Sequence, residues 1–433
     1  MNFINLFLEQ VNNNPQSTAL VGFTSEGSEE TLTYQDLMYE VIKSSESMRV
    51  SEAQSCVIVR SGNTTDTFIL VLASMYSGRT PLVVNPMIPT VGLANYVSNL
   101  PFNVTISSSR DSFETTDKKD TVEDLSDTLL LLTSSGTTGS PKLVKYTEKI
   151  YSEIMEVCGT EYTYTGKHLV VGPTFVSGVL AGGALPHLAF GGSVEILPKW
   201  DAEVLVEKIK LVDSTALVPA HINMLKVSHP DLSPLDNLVV VLGGSRVTAE
   251  TRRWSLEHLS KHTLAGYGTT EFGWISVVHP EDLDDTADSV GTPMQGVTIE
   301  LSDIGEIIAV YPKIGTRVNT GDIGYEKDGL LYLTDRVDDL IKVGGRKVYP
   351  SEIEVLAKNF PGVQEVVIVA AKHDIMGEVP VAFIVGDADT QALESYLRGV
   401  LEPYMVPRTY ITVEDLPMSP AGKLLRSALR ERV

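Results

Sequence analysis

The chain is poor in cysteine, in basic charge and in uninterrupted apolar sequence, and each shortage removes a class of function. Two cysteines, Cys56 and Cys158, among 433 residues cannot build a disulfide framework or a cysteine metal cluster; each reads as a small buried apolar residue. Lys and Arg number 34 against 56 Asp and Glu, a formal charge of −22, carried mostly by residues 1–337. Such a surface repels nucleic acid and anionic lipid unless a basic patch offsets it, and no run of Lys and Arg supplies one. Neither nucleic acid nor a membrane is an expected partner. One stretch, Leu169 to Val194, holds no Asp, Glu, Lys or Arg. Its glycines, Pro173, Pro186 and His187 break it into strand, helix and strand rather than a span. The start, MNFINLFLEQVNNN, lacks the basic residues and small-residue cleavage site of a signal peptide, so a cytoplasmic location is expected.

What is present is alternation. CVIVR, TPLVV, NVTIS, TLLLLT, HLVVGP, SVEIL, TALVPA, NLVVVLGG and HTLAGYG read as strands bounded by Gly, Pro, Asn or Ser. Amphipathic helical stretches lie between them. One is Asp201–Val212, with Asp201 at the N-cap and Val204, Leu205 and Ile209 on one face. Near-continuous apolar strands separated by helices predict parallel sheets covered on both faces, and nine of them predict two doubly wound lobes. Past Pro280 shorter strands suggest a small antiparallel β region. From Asp338 the order helix, strand, strand, helix, strand predicts a compact α+β module. The expected fold class is therefore a large α/β N-terminal domain, residues 1–337, joined by a hinge to a small α+β domain, residues 338–433.

The segment LLLLTSSGTTGSPKLVKYT, residues 129–147, runs from a buried strand into a phosphate-loop composition. Glycines admit backbone N–H groups close to a polyphosphate, hydroxyls donate, and one lysine adds positive charge. It is not a Walker A loop: counting from Gly136, Pro141 stands where the second glycine belongs and Leu143 where the metal-binding hydroxyl belongs.

TSSGTTGSPK resembles the phosphate loop of the adenylate-forming superfamily, which comprises acyl-CoA synthetases, nonribosomal adenylation domains and firefly-type luciferases. GYGTTE (266–271), NTGD (319–322), TDRVDDLIKVGGRKVYPSEIE (334–354) and SPAGKLLR (419–426) follow in that family's order. The resemblance implies that ATP is held by Thr133, Ser134, Ser135, Gly136, Thr137, Thr138, Gly139 and Lys142. Tyr267 and Gly268 would meet the adenine, with Gly243, Gly244 and Ser245 across its other face. Thr270 would hold the α-phosphate and Glu271 a Mg²⁺ ion. A tyrosine ring, a hydroxyl and a carboxylate suit those three tasks chemically. Asp322 and Arg336 would reach the ribose. Lys423 would neutralise the charge that gathers as the adenylate forms. Asp338 is the implied hinge, Gly344 and Gly345 the loop lining the thiol tunnel, and Lys342 either another contact or plain surface charge.

The implied reaction has two steps. A carboxylate attacks the α-phosphorus of Mg·ATP, releasing pyrophosphate, and a thiol then displaces AMP from the acyl-adenylate. The implied cofactors and substrates are ATP, Mg²⁺, a small carboxylic acid, and coenzyme A or a carrier protein's phosphopantetheine. Members that activate amino acids carry an Asp in the segment matching GPTFVSGVLAGG to face the ammonium group; this chain has none, so a free amino acid is not expected. Many acyl- and aryl-CoA ligases carry an aromatic–His pair there, whereas Phe175 is followed by Val176. The expected acid pocket is Phe175, Val176, Ser177 and Gly178, with Phe272 and Trp274 either closing one end or packing in the core. The trimmed stretch 305–322 and the lack of an insertion after Asp338 favour a short acid. Three readings stand: an acid–CoA ligase, a stand-alone enzyme loading a carrier protein, and a degenerate relative that binds nucleotide without catalysis.

Overall fold

A computed structural model describes residues 2–48, 56–115, 123–134, 142–282, 289–418 and 424–433. The chain divides into two compact units. The first takes the described residues of Met1–Ser135, Pro141–Thr298 and Val310–Val318; the second takes those of Ile299–Ala309 and Asn319–Val433.

The first unit contains two sheets. In the smaller, the strands run in the order Ser112–Thr115, Val104–Ser109, Cys56–Val59, Thr80–Val83, Thr128–Ser134, Lys142–Thr147. In the larger, the order is Thr292–Pro293, Gly273–Val278, Ser260–Thr269, Leu235–Leu242, Ser214–Leu217, Lys167–Val170, Ser193–Ile196, Thr18–Phe23, Glu29–Thr33. All nine strands read from the sequence are present, four in the first sheet and five in the second. The central pairings of both sheets are parallel; the outermost pairings, and in the larger sheet that of Ser260–Thr269 with Gly273–Val278, are antiparallel. This explains why the interior strands are apolar on both faces: Val57, Ile58, Leu82, Leu130, Leu131, Val240 and Leu242 are all fully buried.

The N-terminal hairpin Thr18–Phe23/Glu29–Thr33 carries only a short apolar run, and its second strand, EETLT, has Leu32 as its one apolar residue; the hairpin pairs alongside Ser193–Ile196. Asp201 caps its helix as expected, its carboxylate accepting from the Val204 N–H at 3.1 Å. The helix is short, Ala202–Lys208, before a 3₁₀ turn. Leu205, Val206 and Ile209 form its inner stripe while Val204 faces out. The charge-free stretch folds as strand, helix and strand. Among the described residues no helix is long and apolar enough to cross a membrane.

The second unit holds a five-stranded sheet: Arg346–Val348, Ile341–Val343, Gly377–Gly386 and Val363–His373 in order, with Thr409–Thr412 alongside Gly377–Gly386. Helices Pro350–Lys358 and Thr390–Val400 cover it through Ile353, Ala357, Leu393 and Leu397, against Ile341, Ile368 and Ile384. A four-stranded sheet (Thr298–Leu301, Glu306–Tyr311, Thr316–Lys327, Leu330–Arg336) precedes this module. Most of it counts with the module, a different line from the expected 337/338 boundary. The Asp335 carboxylate gives one reason: it accepts from the Ser351 N–H at 3.0 Å and so secures the first turn of helix Pro350–Lys358.

An arginine is one of the links between the two sheets of the first unit. Arg110, on the turn after Val104–Ser109, ion-pairs with Glu30 of the hairpin and with Asp66 of helix Thr65–Tyr76. Its guanidinium also lies 3.6 Å from Glu40 and 3.2 Å from the Thr65 hydroxyl. Asp66 is 2 % exposed, so removing the arginine leaves a buried carboxylate without its counter-charge, held among the described residues only by the N–H and hydroxyl of Ser25. Arg110→Ala is expected to lower the unfolding free energy by about 3 kcal/mol, read as the shift in urea midpoint. Arg110→Lys should recover only part, because a single ammonium cannot reach all four partners at once.

Candidate active site

Parallel pairing sets where the site residues fall. Strands Lys167–Val170, Ser214–Leu217, Leu235–Leu242 and Ser260–Thr269 run side by side in register, with Leu217 opposite Leu242 and Leu242 opposite Ala265. Each releases its chain at the same edge, the position where open α/β sheets bind ligands. Three sequence motifs emerge there: Phe175–Gly178 after the first strand, Gly243–Ser245 after the third and Tyr267–Glu271 at the end of the fourth.

Local geometry explains several residues in these motifs. Gly244 has φ +78°, and a Cβ on Gly243 would meet the Gly266 carbonyl at 3.3 Å. The register between Ser260–Thr269 and Gly273–Val278 slips between Tyr267 and Gly268. At Gly268 a Cβ would lie 2.1 Å from the Gly273 carbonyl oxygen, so the slip demands glycine and re-aims Tyr267. Tyr267 and Thr270 are half-buried and Glu271 is exposed. Thr269 Oγ1 is buried without a hydrogen-bond partner among the described residues.

The strands on either side of residues 135–141 form an antiparallel pair: Thr128–Ser134 pairs with Lys142–Thr147, with Ser134 opposite Lys142. Ser135, Gly136, Thr137, Thr138 and Gly139 lie outside the described residues; Thr133 is half-buried and Lys142 exposed on the flanking strands. Tyr146, which the sequence reading passed over, ties this hairpin to the next motif. Its hydroxyl donates to the Thr270 carbonyl at 2.6 Å, and burial raises its pKa, keeping the phenol protonated.

The acid segment meets the same turn. Ser177 Oγ donates to Thr270 Oγ1 at 3.4 Å. Asn63 anchors the approach to the segment, accepting from the Thr174 N–H at 2.9 Å and donating to the Gly172 carbonyl at 3.0 Å. Phe175, Val176 and Ser177 are half-buried and Gly178 is exposed. Of the two readings open for Phe272 the structure takes the second: it is fully buried and stacks on Tyr311, ring centroids 3.8 Å apart, so it packs in the core. Its side chain follows the turn inward because the antiparallel return strand begins at the next residue. Trp274 remains half-buried, its ring against Gly266, where a Cβ would come within 3.2 Å of it.

Within the second unit Asp322 and Arg336 sit directly opposite on paired strands, carboxylate to guanidinium 3.1 Å. Glu306 shapes the NTGD turn, accepting from Asn319 Nδ2 at 3.0 Å and the Gly321 N–H at 3.2 Å. Nothing in the residue types of the motif had marked Glu306. Asp338 is exposed in the 3₁₀ turn Val337–Asp339, its carbonyl accepting from Arg430 at 2.9 Å. Gly344 and Gly345, φ +56° and +82°, make the two-residue turn between Ile341–Val343 and Arg346–Val348. That turn by itself requires glycine-type φ at both positions. Lys342 is exposed. Lys423 lies outside the described residues. Of the described residues on either side of it, Met418 bridges Leu424 and the Leu425 N–H donates to the Pro417 carbonyl at 2.8 Å.

The model of the AMP-binding enzyme family matches residues 99–310, and that of the AMP-binding enzyme C-terminal domain matches 352–423. The chain belongs to the AMP-binding enzymes, the adenylate-forming superfamily. It is an ATP-dependent, AMP-forming ligase. The 2-succinylbenzoate–CoA ligase of Lactococcus lactis is 28% identical over 436 aligned positions, covering 92% of this chain and 95% of that protein. An acyl–CoA ligase of Bacillus subtilis, YhfT, is 25% identical over 69% of this chain and 67% of its own length. Among solved structures, ATP-bound MatB from Rhodopseudomonas palustris superposes with TM-score 0.79 at 21% identity, covering 100% and 99% of the two chains. The o-succinylbenzoate CoA synthetase MenE of B. subtilis, in complex with its acyl-adenylate, gives 0.77 at 20%, covering 98% of each.

The family implies Mg²⁺, and the donors of the ligase suit it. Glu271 is an exposed carboxylate with no ion pair or hydrogen bond among the described residues, and no cluster of three or more His, Cys, Asp or Glu accompanies it. One carboxylate plus phosphate oxygens and water is an ordinary Mg²⁺ environment.

Beneath the acid segment lie two buried imidazoles. His168 Nδ1 and His187 Nε2 reach the Ser214 hydroxyl at 2.9 and 3.3 Å. Burial lowers both pKa values, that of His187 to about 4. The unfolded chain takes up these protons near pH 6.5, so the stability present above that pH is lost as pH falls from 6.5 towards 4. The urea midpoint of the ligase should drop across that window, and His187→Asn should flatten the drop. An unchanged slope in that variant would show that other groups carry it.

Proposed function

We propose that this ligase joins a small or aromatic carboxylic acid, not a free amino acid, to the thiol of coenzyme A. The observation that carries the reading is the Ser177–Thr270 hydrogen bond: the segment expected to meet the acid touches the residue expected to hold the α-phosphate. No acidic side chain between Leu169 and Val194 could face an ammonium group.

In the first step a carboxylate oxygen attacks the α-phosphorus and the bond to the β,γ-pyrophosphate breaks. Both reactants are anions, so positioning and charge neutralisation supply the catalysis. Thr270 holds the α-phosphate, Lys142 and the loop amides meet the outer phosphates, and Lys423 faces the carboxylate and α-phosphate as they join. Tyr267 stacks on adenine over Gly243–Ser245, and Asp322 takes the ribose hydroxyls with Arg336 beside it. Mg²⁺ held by Glu271 would offset the charge of the leaving pyrophosphate. In the second step the thiol sulfur bonds the acyl carbon, the carbon–oxygen bond to AMP breaks, and the thiol proton is released. Asp338 serves as the hinge between steps, and Gly344–Gly345 line the thiol path.

Relatives named 2-succinylbenzoate–CoA ligases place that acid first in a panel with benzoates and short alkanoates. Acid-dependent pyrophosphate release from ATP, followed by thioester formation with CoA alone, is the expected result. An adenylate that stalls with CoA and advances with a phosphopantetheinylated carrier would move the acceptor. Silence across the panel would remove the catalytic reading. Lys423→Ala should cut adenylation by about 100-fold or more with ATP affinity little changed, the cost of losing a donor to developing charge. Val176→Phe should shift the panel towards smaller acids at constant ATP KM.

A further inference from the structure

The helix that carries the acid segment is irregular in one place. Ser177–Val179 and Leu185–Ala189 are α-helical, but Leu180–Ala184 between them is a π turn, closed by the Leu185 N–H donating to Leu180. Such turns are rare and costly, and they concentrate at functional sites.

Three consecutive carbonyls of the turn each receive a side-chain donor. Tyr151 Oη–H donates to Ala181 at 3.0 Å, Tyr162 Oη–H to Gly182 at 3.2 Å and His187 Nδ1–H to Gly183 at 2.7 Å. With Nδ1 donating, His187 Nε2 accepts from the Ser214 hydroxyl, which accepts in turn from His168 Nδ1–H. Every donor has a direction, and the chain ends on the turn. The imidazole of His168 lies against Gly183, where a Cβ would come within 2.8 Å of Nε2. At Gly182, by contrast, an added Cβ meets nothing closer than the Ser177 carbonyl at 3.9 Å. Donors rather than crowding over Gly182 hold the turn open.

The extra residue in a π turn rotates everything before it by about 100° relative to a continuous α-helix, with about 1.5 Å of rise. That phase decides whether Ser177 faces Thr270 or turns away. The same aromatic layer fixes the other side of the contact: Tyr146, which donates to the Thr270 carbonyl, stacks on Tyr151 with ring centroids 6.0 Å apart.

We propose that Tyr151, Tyr162 and His187 are positioning residues of the ligase reaction: they hold the π turn, set the phase of Val176–Gly178, and thereby keep the acid's carboxylate aligned with the α-phosphate at Thr270. This rests on the reading that Val176–Gly178 receives the acid. The test is a pair of saturation curves, acid and ATP, by pyrophosphate release for Tyr151→Phe, Tyr162→Phe, His187→Asn and His187→Leu. Loss of one hydrogen bond of about 1 kcal/mol predicts an acid KM raised about fivefold in each tyrosine variant, with ATP KM within twofold. His187→Asn, which keeps a donor near Nδ1, should lie closer to the parent than His187→Leu. Acid KM values that stay at the parent level, or that rise in step with ATP KM, overturn the proposal. If Tyr151→Phe does not fold, half-buried Tyr162→Phe decides alone. Val176→Phe separates the two readings: if it leaves the acid panel untouched the acid segment itself is misplaced, and if it reshapes the panel while Tyr162→Phe leaves acid KM unmoved, only the positioning role falls.

Discussion

Parallel strand pairing is the constraint on which the first unit depends. A parallel neighbour cannot follow through a tight turn; the chain must cross over and re-enter from the same end. Strands from positions 167, 214, 235 and 260 therefore deliver their following turns to one edge. The acid segment, the glycine pair and the GYGTTE turn, separated by up to about a hundred residues of sequence, become neighbours without any of them having to find the others. The antiparallel outer strands then finish the job, since the return strand Gly273–Val278 makes Thr270 and Glu271 a turn tip rather than a strand interior.

The chemistry suits such an edge. Two anions must be brought together and a third expelled, so the useful groups are fixed dipoles, hydroxyls and a few cations, with no general base required. Fixed dipoles need rigid support, and the structure supplies it with phenols. Tyr146, Tyr151 and Tyr162 are buried or half-buried donors whose pKa values burial pushes up, so they remain donors across the physiological range. Each ends on a backbone carbonyl of a functional segment. In the second unit a carboxylate does the equivalent work, Glu306 holding the NTGD turn that presents Asp322 opposite Arg336.

Much of the architecture was legible in residue order. Near-continuous apolar runs marked the interior strands because both of their faces are covered, and Asp201 marked its helix because a capping carboxylate acts locally. The N-terminal hairpin was missed, since five polar-rich residues such as Glu29–Thr33 gain their strand character only from a partner strand. The place of Phe272 in its motif left pocket and core both open, because its burial on Tyr311 depends on a residue 39 positions away. Gly344–Gly345 carry a functional resemblance and a hairpin requirement at once, so their presence alone does not separate the two.

The sequence by itself determined the class of the enzyme and the order of its motifs, because those are local chemical requirements that leave local signatures. Tertiary structure alone decided the supports: which tyrosine ends on which carbonyl, why the acid helix opens into a π turn at Leu180–Ala184, and that Ser177 meets Thr270. A hydrogen bond between residues 93 positions apart has no pattern in either segment. It exists only where packing brings the two half-buried hydroxyls together.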